Sequence, residues 1–279
     1  MPHNRFRRAL PRIAAAALLA GLVLGVWAFW WEPRRLVVRE ARIPLVCWRG
    51  APLRIAVVSD LHIGSPYTGV RKLEDVVRRI NEGKPDVVVL LGDFVIQDVV
   101  GGEFVPPETI AAKLAALRAP LGVYAVLGNH DWWLDPVRVA TAFERAGVRM
   151  LEDRAARIAG GRLWLVGISD YMEGRHDVAR AFAQVSDDGP VVVITHNPDV
   201  FPHIPARACL TLAGHTHGGQ VAVPFAGRPV VPSKYGQRYA IGHIHESGKQ
   251  LFVTSGVGTS IIPVRFGVPP EIVFLTVSV

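Results

Sequence analysis

The chain has 279 residues, half of them hydrophobic, with 27 Gly, 21 Pro and two Cys. This composition excludes a disordered, collagen-like or disulfide-scaffold protein, and the length suffices for one large α/β domain or two small ones. The net charge of +7 sits at the N-terminal end, because residues 1–42 hold eight arginines and two glutamates while the other 237 residues carry 23 basic and 22 acidic groups.

A neutral body argues against a strong nucleic-acid groove. The basic excess flanks an apolar stretch and reads as membrane-surface charge. Residues 13–31 form a 19-residue run without a charged side chain, long enough at about 1.5 Å per residue to cross most of a hydrocarbon core. Trp27, Trp30 and Trp31 at its end suit a membrane interface. Behind a basic tail (1–12), the run is read as a retained single-pass anchor rather than a cleaved signal, since no small-residue cleavage pattern precedes Pro33. Arg5, Arg7, Arg8 and Arg12 precede it and Arg34, Arg35, Arg39 and Arg42 follow, so the positive-inside count is a tie. Arg7-Arg8, followed by Leu10 and Arg12, resembles a twin-arginine export signal but lacks its aromatic residue and carries Pro11.

Residues 32–52, rich in Pro and Arg, read as a linker. Beyond them strands and helices alternate. Residues 53–59 are a β-branched strand, and Val70, Leu73, Val76, Val77 and Ile80 repeat at helical spacing. A buried strand over 87–91, a helix over 107–117, a strand over 123–127 and a helix over 136–146 complete a βαβαβα rhythm. After Gly160, strands dominate: 162–168, 191–195, 210–213, 221–223, 238–241, 250–254 and 272–277. A second sheet packed on the first, with helices outside, accounts for 53–279 as one domain. Cys47 and Cys209 do not report the redox compartment, and Cys209, in the apolar run 208–213, is expected to pack there as a small hydrophobe.

Five polar clusters follow apolar strands: Asp60-Leu61-His62, Gly92-Asp93, Gly128-Asn129-His130-Asp131, Thr195-His196-Asn197 and Gly214-His215-Thr216-His217. The spacing of two in Asp60/His62 and His215/His217 projects both members to one side of an extended chain. A single Asp or His after a strand is more often a cap or turn residue, but five in order at strand ends reverse that expectation. Asp, His and neutral Asn oxygen suit Mn, Fe, Zn, Co or Ni. Asp60, His62, Asp93, Asn129, His196, His215 and His217 suffice for two adjacent divalent ions, one carboxylate bridging them, with positions open for water and substrate. Gly242-His243-Ile244-His245 repeats the form in a polar hairpin and is read as a solvated turn; His3, His176 and His203 have no motif around them.

These clusters resemble the signature of the calcineurin-like metallophosphoesterases, over roughly 53–279. The finer text, including Ser59-Asp60-Leu61-His62, His196-Asn197-Pro198-Asp199 and the run from Gly214 to Gln220, looks like a membrane-anchored bacterial branch, some of whose members cleave UDP-2,3-diacylglucosamine in lipid A synthesis. The resemblance implies a four-layer α/β/β/α sandwich behind an N-terminal transmembrane helix. It implies that Asp60, His62, Asp93 and His217 hold one ion and Asp93, Asn129, His196 and His215 the other. His130 would protonate the leaving oxygen or stabilise phosphoryl charge, oriented by Asp131. The expected reaction is metal-dependent hydrolysis of a phosphodiester or pyrophosphate, with cations activating water and neutralising phosphoryl charge. The anchor favours a lipid-linked substrate and a bacterial inner-membrane location, with the side of the catalytic domain open. A general envelope phosphodiesterase or phosphatase acting on soluble substrates, and a nuclease, are the competing readings. Gly218 and Gly219 either let backbone approach the site or form a plain turn, and Arg265 either binds a second phosphate or is structural, the latter preferred.

Overall fold

The computed structural model describes residues 3–173 and 176–279, with side chains from Pro11 onward, so the side chains of the basic tail before Pro11 lie outside it. In chain order the elements are α1 (His3–Val26), β1 (Val37–Pro44), β2 (Leu53–Val58), α2 (Val70–Glu82), β3 (Val87–Leu90), α3 (Pro107–Leu114), β4 (Val123–Ala125), α4 (Asn129–Leu134), α5 (Pro136–Arg145), β5 (Arg149–Met150), β6 (Arg154–Ile158), β7 (Leu163–Ile168), α6 (Val178–Phe182), β8 (Val191–Thr195), β9 (Ala208–Ala213), β10 (Gly242–Glu246), β11 (Lys249–Val253) and β12 (Glu271–Ser278).

The strands form two mixed sheets, in the orders β1-β12-β2-β3-β4-β5 and β10-β11-β9-β8-β7-β6. Alternation along each strand sends side chains to two cores. From β2, Ile55 and Val57 face Leu165, Val192, Ile194 and Leu210 of the other sheet. Ala56 and Val58 face the helical layer instead, against Leu73, Val76 and Ile80 of α2, Ile110 of α3 and Phe143 of α5. The outer face of the second sheet, with Val166, Ile168 and Val193, is covered by Ala181 of α6 and by Val200 and Ile204 around a 3-10 segment. The layers therefore run helix, sheet, sheet, helix. Each fully buried Leu, Ile or Val contributes about 1.5–3 kcal/mol, so the recurring apolar positions of α2 are enough to seat it.

Among the described residues one helix is long and apolar enough to cross a membrane, with its candidate span over Pro11–Arg34 and almost no burial against the protein. Its end passes through a π-helical turn, Trp27–Trp31.

Four expectations differ from the structure. The stretch 32–52 contains a strand: β1 pairs in parallel with β12 along its whole length. As an edge strand it exposes Arg39, Glu40 and Arg42, and that polar pattern hides it in the sequence. Residues 238–241 are not a strand; Gly236, at φ +59°, turns the chain into a 3-10 segment over Gly236–Tyr239. Residues 221–223 make isolated bridges only. Cys209 is not simply packed: it is disulfide-bonded to Cys47, 162 residues away, with Cα atoms 6.2 Å apart. The bond joins the segment after β1 to β9.

Candidate metal centre

The parallel strands β2, β3, β8 and β9 end at one edge of the two-sheet stack, and the polar clusters follow them directly. Asp60, His62, Asp93, His215 and His217 all sit at positive φ, from +40° to +68°. Non-glycine residues adopt this region at a cost, and such strain concentrates at functional sites. Two glycines are required by close approach: a Cβ at Gly128 would overlap the Asp93 carboxylate, and one at Gly214 would overlap Ser59 and the Asp60 carboxylate.

The structure brings all seven predicted ligand residues together. In one group, His62 Nε2 lies 3.1 Å from His217 Nε2, and His217 Nε2 lies 3.3 Å from Asp60 Oδ1. In the other, His196 Nε2 lies 3.1 Å from His215 Nδ1 and 3.2 Å from Asn129 Oδ1. Asp93 Oδ2 stands between the groups, 3.4 Å from His62 Nε2 and 3.2 Å from His196 Nε2. Asp60 Oδ1 is buried without a hydrogen-bond partner, while Asp60 Oδ2 accepts from the His215 amide at 3.0 Å. His196 Nδ1 donates to the Leu91 carbonyl at 2.7 Å, which turns Nε2 inward. These convergent, buried oxygen and imidazole donors fit divalent cations.

Burial dominates the electrostatics. It raises the Asp60 carboxyl to about 6 and lowers His62 and His215 to about 3. His196 goes the other way: burial opposes its charge, but the adjacent Asp93 carboxylate raises it. Neutral imidazoles at His62 and His215 are the form that binds metal.

His130 lies over this centre, its ring 4.7 Å from His62 in an edge contact and 4.8 Å from the Trp133 ring. Asp131 does not orient it. The fully buried Asp131 carboxylate accepts from the backbone amides of Asp93, Phe94, Val95 and Gly128, so it fixes the loop that carries Asp93. His243 and His245 lie on the exposed hairpin strand β10, outside the three His/Asp groups suited to metal among the described residues. Arg265 is fully buried and donates to the carbonyls of Ser255, Gly258 and Val268, which leaves it structural.

Sequence reasoning missed Asp170. It follows β7, next to the strand that delivers His196, and burial raises its carboxyl to about 6. Its signal was position alone, a carboxylate two residues beyond the end of another apolar strand.

The calcineurin-like phosphoesterase profile matches residues 53–247. The chain belongs to the calcineurin-like phosphoesterases. Among its relatives, the Bacillus subtilis metallophosphoesterase YkuE is 29% identical, with 95% of this chain and 93% of that one covered. The Escherichia coli phosphodiesterase YaeI is 29% identical over 96% of this chain and 98% of its own length. The Chlamydia trachomatis UDP-2,3-diacylglucosamine pyrophosphatase LpxG is 25% identical, covering 91% and 93%. As a calcineurin-like phosphoesterase the chain is a metal-dependent phosphoester hydrolase, and its His/Asp groups are candidate metal-binding residues.

Proposed function

We propose that the chain is a membrane-anchored, two-metal hydrolase of phosphodiester or pyrophosphate bonds in lipid-linked substrates. The observation that carries this reading is the Asp93 carboxylate, whose Oδ2 stands within 3.4 Å of one imidazole cluster and 3.2 Å of the other. Asp60, His62, Asp93 and His217 would hold one ion, and Asp93, Asn129, His196 and His215 the second. The donor set accepts Mn, Fe, Zn, Co or Ni. When bound, two cations supply a water nucleophile at neutral pH and neutralise charge on the phosphoryl oxygens.

The protein's own groups do the rest. Asn129 contributes a neutral oxygen and limits the negative charge facing the phosphate. His130, at the mouth of the centre, donates a proton to the leaving oxygen. Asp131 positions Asp93 through its loop amides. The apolar walls behind the strand ends keep the local dielectric low, which strengthens each of these interactions.

The E. coli relative is named as a phosphodiesterase and the chlamydial one as a pyrophosphatase of a lipid-linked nucleotide, and both names support this substrate class. The Cys47–Cys209 bond supports a domain on the oxidising side of a bacterial inner membrane. The chlamydial name favours a second reading, an enzyme whose substrate is UDP-2,3-diacylglucosamine itself.

The test is hydrolysis by the detergent-purified chain with Mn²⁺, against EDTA and Asn129→Ala, on UDP-2,3-diacylglucosamine and on bis-p-nitrophenyl phosphate. Metal-dependent hydrolysis of the second without the first supports an envelope phosphodiesterase. Release of UMP supports the second reading. Hydrolysis indifferent to EDTA and to Asn129→Ala would overturn both.

A further inference from the structure

The end of α1 is fixed to the hydrolase domain. The Ala28 carbonyl accepts from the Arg265 amide at 3.0 Å. Arg34 lies 4.3 Å over the Trp30 ring and 4.5 Å over the Tyr67 ring. From Arg265 the contacts lead outward to a ring of apolar side chains. Val221 bridges Phe266, and the Ala222 amide donates to the Phe266 carbonyl at 2.7 Å. The turn between Val223 and Gly227 follows at once, with Phe225 fully exposed at its tip. On the other side, Ile261 is 68% exposed, and its carbonyl accepts from the amide of Val100, also exposed. Ile262 and Val230 complete the exposed set.

Two of these residues are held in unusual backbone. Phe225 is at φ +66° and Ile261 at φ +61°. Positive φ is a genuine outlier for a bulky or β-branched residue, and it persists only where the surroundings enforce it. Here it projects large apolar side chains into solvent, next to the end of a helix that carries three tryptophans. Arg34 and Arg35, both exposed, add positive charge at the same level.

The ring is also close to the metal centre. Only Gly218 and Gly219 separate His217 from Gln220, whose side chain accepts from the Ser260 amide at 2.8 Å and donates to the Ser260 carbonyl at 3.2 Å.

We propose that Val100, Phe225, Val230, Ile261 and Ile262 enter the headgroup and acyl boundary of the bilayer that α1 crosses, so that the metal centre works on phosphoester groups of lipids at that depth. This rests on reading α1 as a membrane span. Continuity from Ala28 through Arg265 to both apolar loops selects a lipid surface as the occupant. Interfacial tryptophans and exposed arginines are what such a surface takes.

The test uses the full chain in nanodiscs of phosphatidylethanolamine and phosphatidylglycerol that contain a lipid with a diazirine on its acyl chain. After photolysis, adducts are mapped by mass spectrometry. Adducts are expected in residues 11–31 and also at 223–230 and 260–262. Adducts confined to 11–31 would overturn the docked ring and leave the anchor standing. Their absence from 11–31 would overturn the anchor itself. In parallel, a Phe225→Asn, Ile261→Asn double variant, with Asn tolerant of positive φ, should hydrolyse soluble bis-p-nitrophenyl phosphate as before. It should lose at least about fivefold on a phosphatidyl p-nitrophenyl diester within the nanodisc. An equal response to both probes would overturn the proposal.

Discussion

His62 and His217 face each other with Nε2 atoms 3.1 Å apart and rings stacked at 5.0 Å between centroids, both buried. One imidazole arrives from the chain after β2 and the other from the chain after β9, so the two sheets meet at this pair. A shared cation would satisfy both lone pairs at once. Replacing His217 by Ala is expected to lower the bound metal by one ion per chain, measured by plasma emission, and to reduce kcat on the order of a hundredfold or more. Asn129→Ala should do the same from the other group. Unchanged stoichiometry in both variants would contradict the shared centre.

His130→Ala is expected to keep the metal and lose roughly 10²–10⁴ in kcat, the range of a positioned acid. The loss should shrink on a substrate with a good leaving group such as p-nitrophenolate, where little protonation is needed. Equal losses on good and poor leaving groups would remove the acid role.

Asp131→Asn should act through Asp93. An amide nitrogen cannot accept from the loop amides that Asp131 now satisfies, so one or more becomes unpaired, at about 1–3 kcal/mol each. Activity is expected to fall about 10–100-fold. The expected signature is weaker metal affinity together with a lower Tm; a purely catalytic Asp131 would move neither.

The strand ends bearing Asp60, Asp93, His196 and His215 were legible because a strand buried on both faces leaves an uninterrupted β-branched run, and the polar residues after it stand out. β1 was not legible, since an edge strand with Arg39 and Glu40 toward solvent has no such run. Its partner β12 is distant in sequence, and only the register Val37 with Glu271 reveals the pairing. The Cys47–Cys209 bond was hidden for the same reason, its halves 162 residues apart. Sequence alone leaves Gly218 and Gly219 open between close approach to the site and a plain turn; a Cβ at either would meet Val268 or the Val230 carbonyl, so they make room for protein rather than for a ligand.

Glu152 gives a pH test at a carboxyl outside the proposed ligand set. Burial raises its carboxyl from 4.5 to about 7 while Oε1 accepts from the Leu127 amide at 2.7 Å. An acid raised in the folded chain contributes stability that is fully present below the unfolded value and lost as pH rises through the folded one. The loss between pH 4.5 and 7 is on the order of 3 kcal/mol. Glu152→Gln keeps the acceptor oxygen and cannot ionise. Its Tm should exceed that of the parent chain at pH 8 and match it near pH 4; parallel Tm curves would refute the assignment.

Removing the disulfide by Cys47→Ser with Cys209→Ser is expected to cost about 2–5 kcal/mol in urea unfolding. Dithiothreitol should destabilise the parent chain to the same level and leave the double variant unaffected.

β12 follows every other described strand in sequence, yet it lies inside the first sheet, paired with β1 on one side and β2 on the other. The strand that delivers Asp60 therefore has no neighbour on that flank until β12 has been made. A growing chain can assemble the β2-β3-β4 unit, but the layer remains open until β12 joins it. This order also makes β12 intolerant of loss, since a break there opens the middle of the sheet rather than fraying its border.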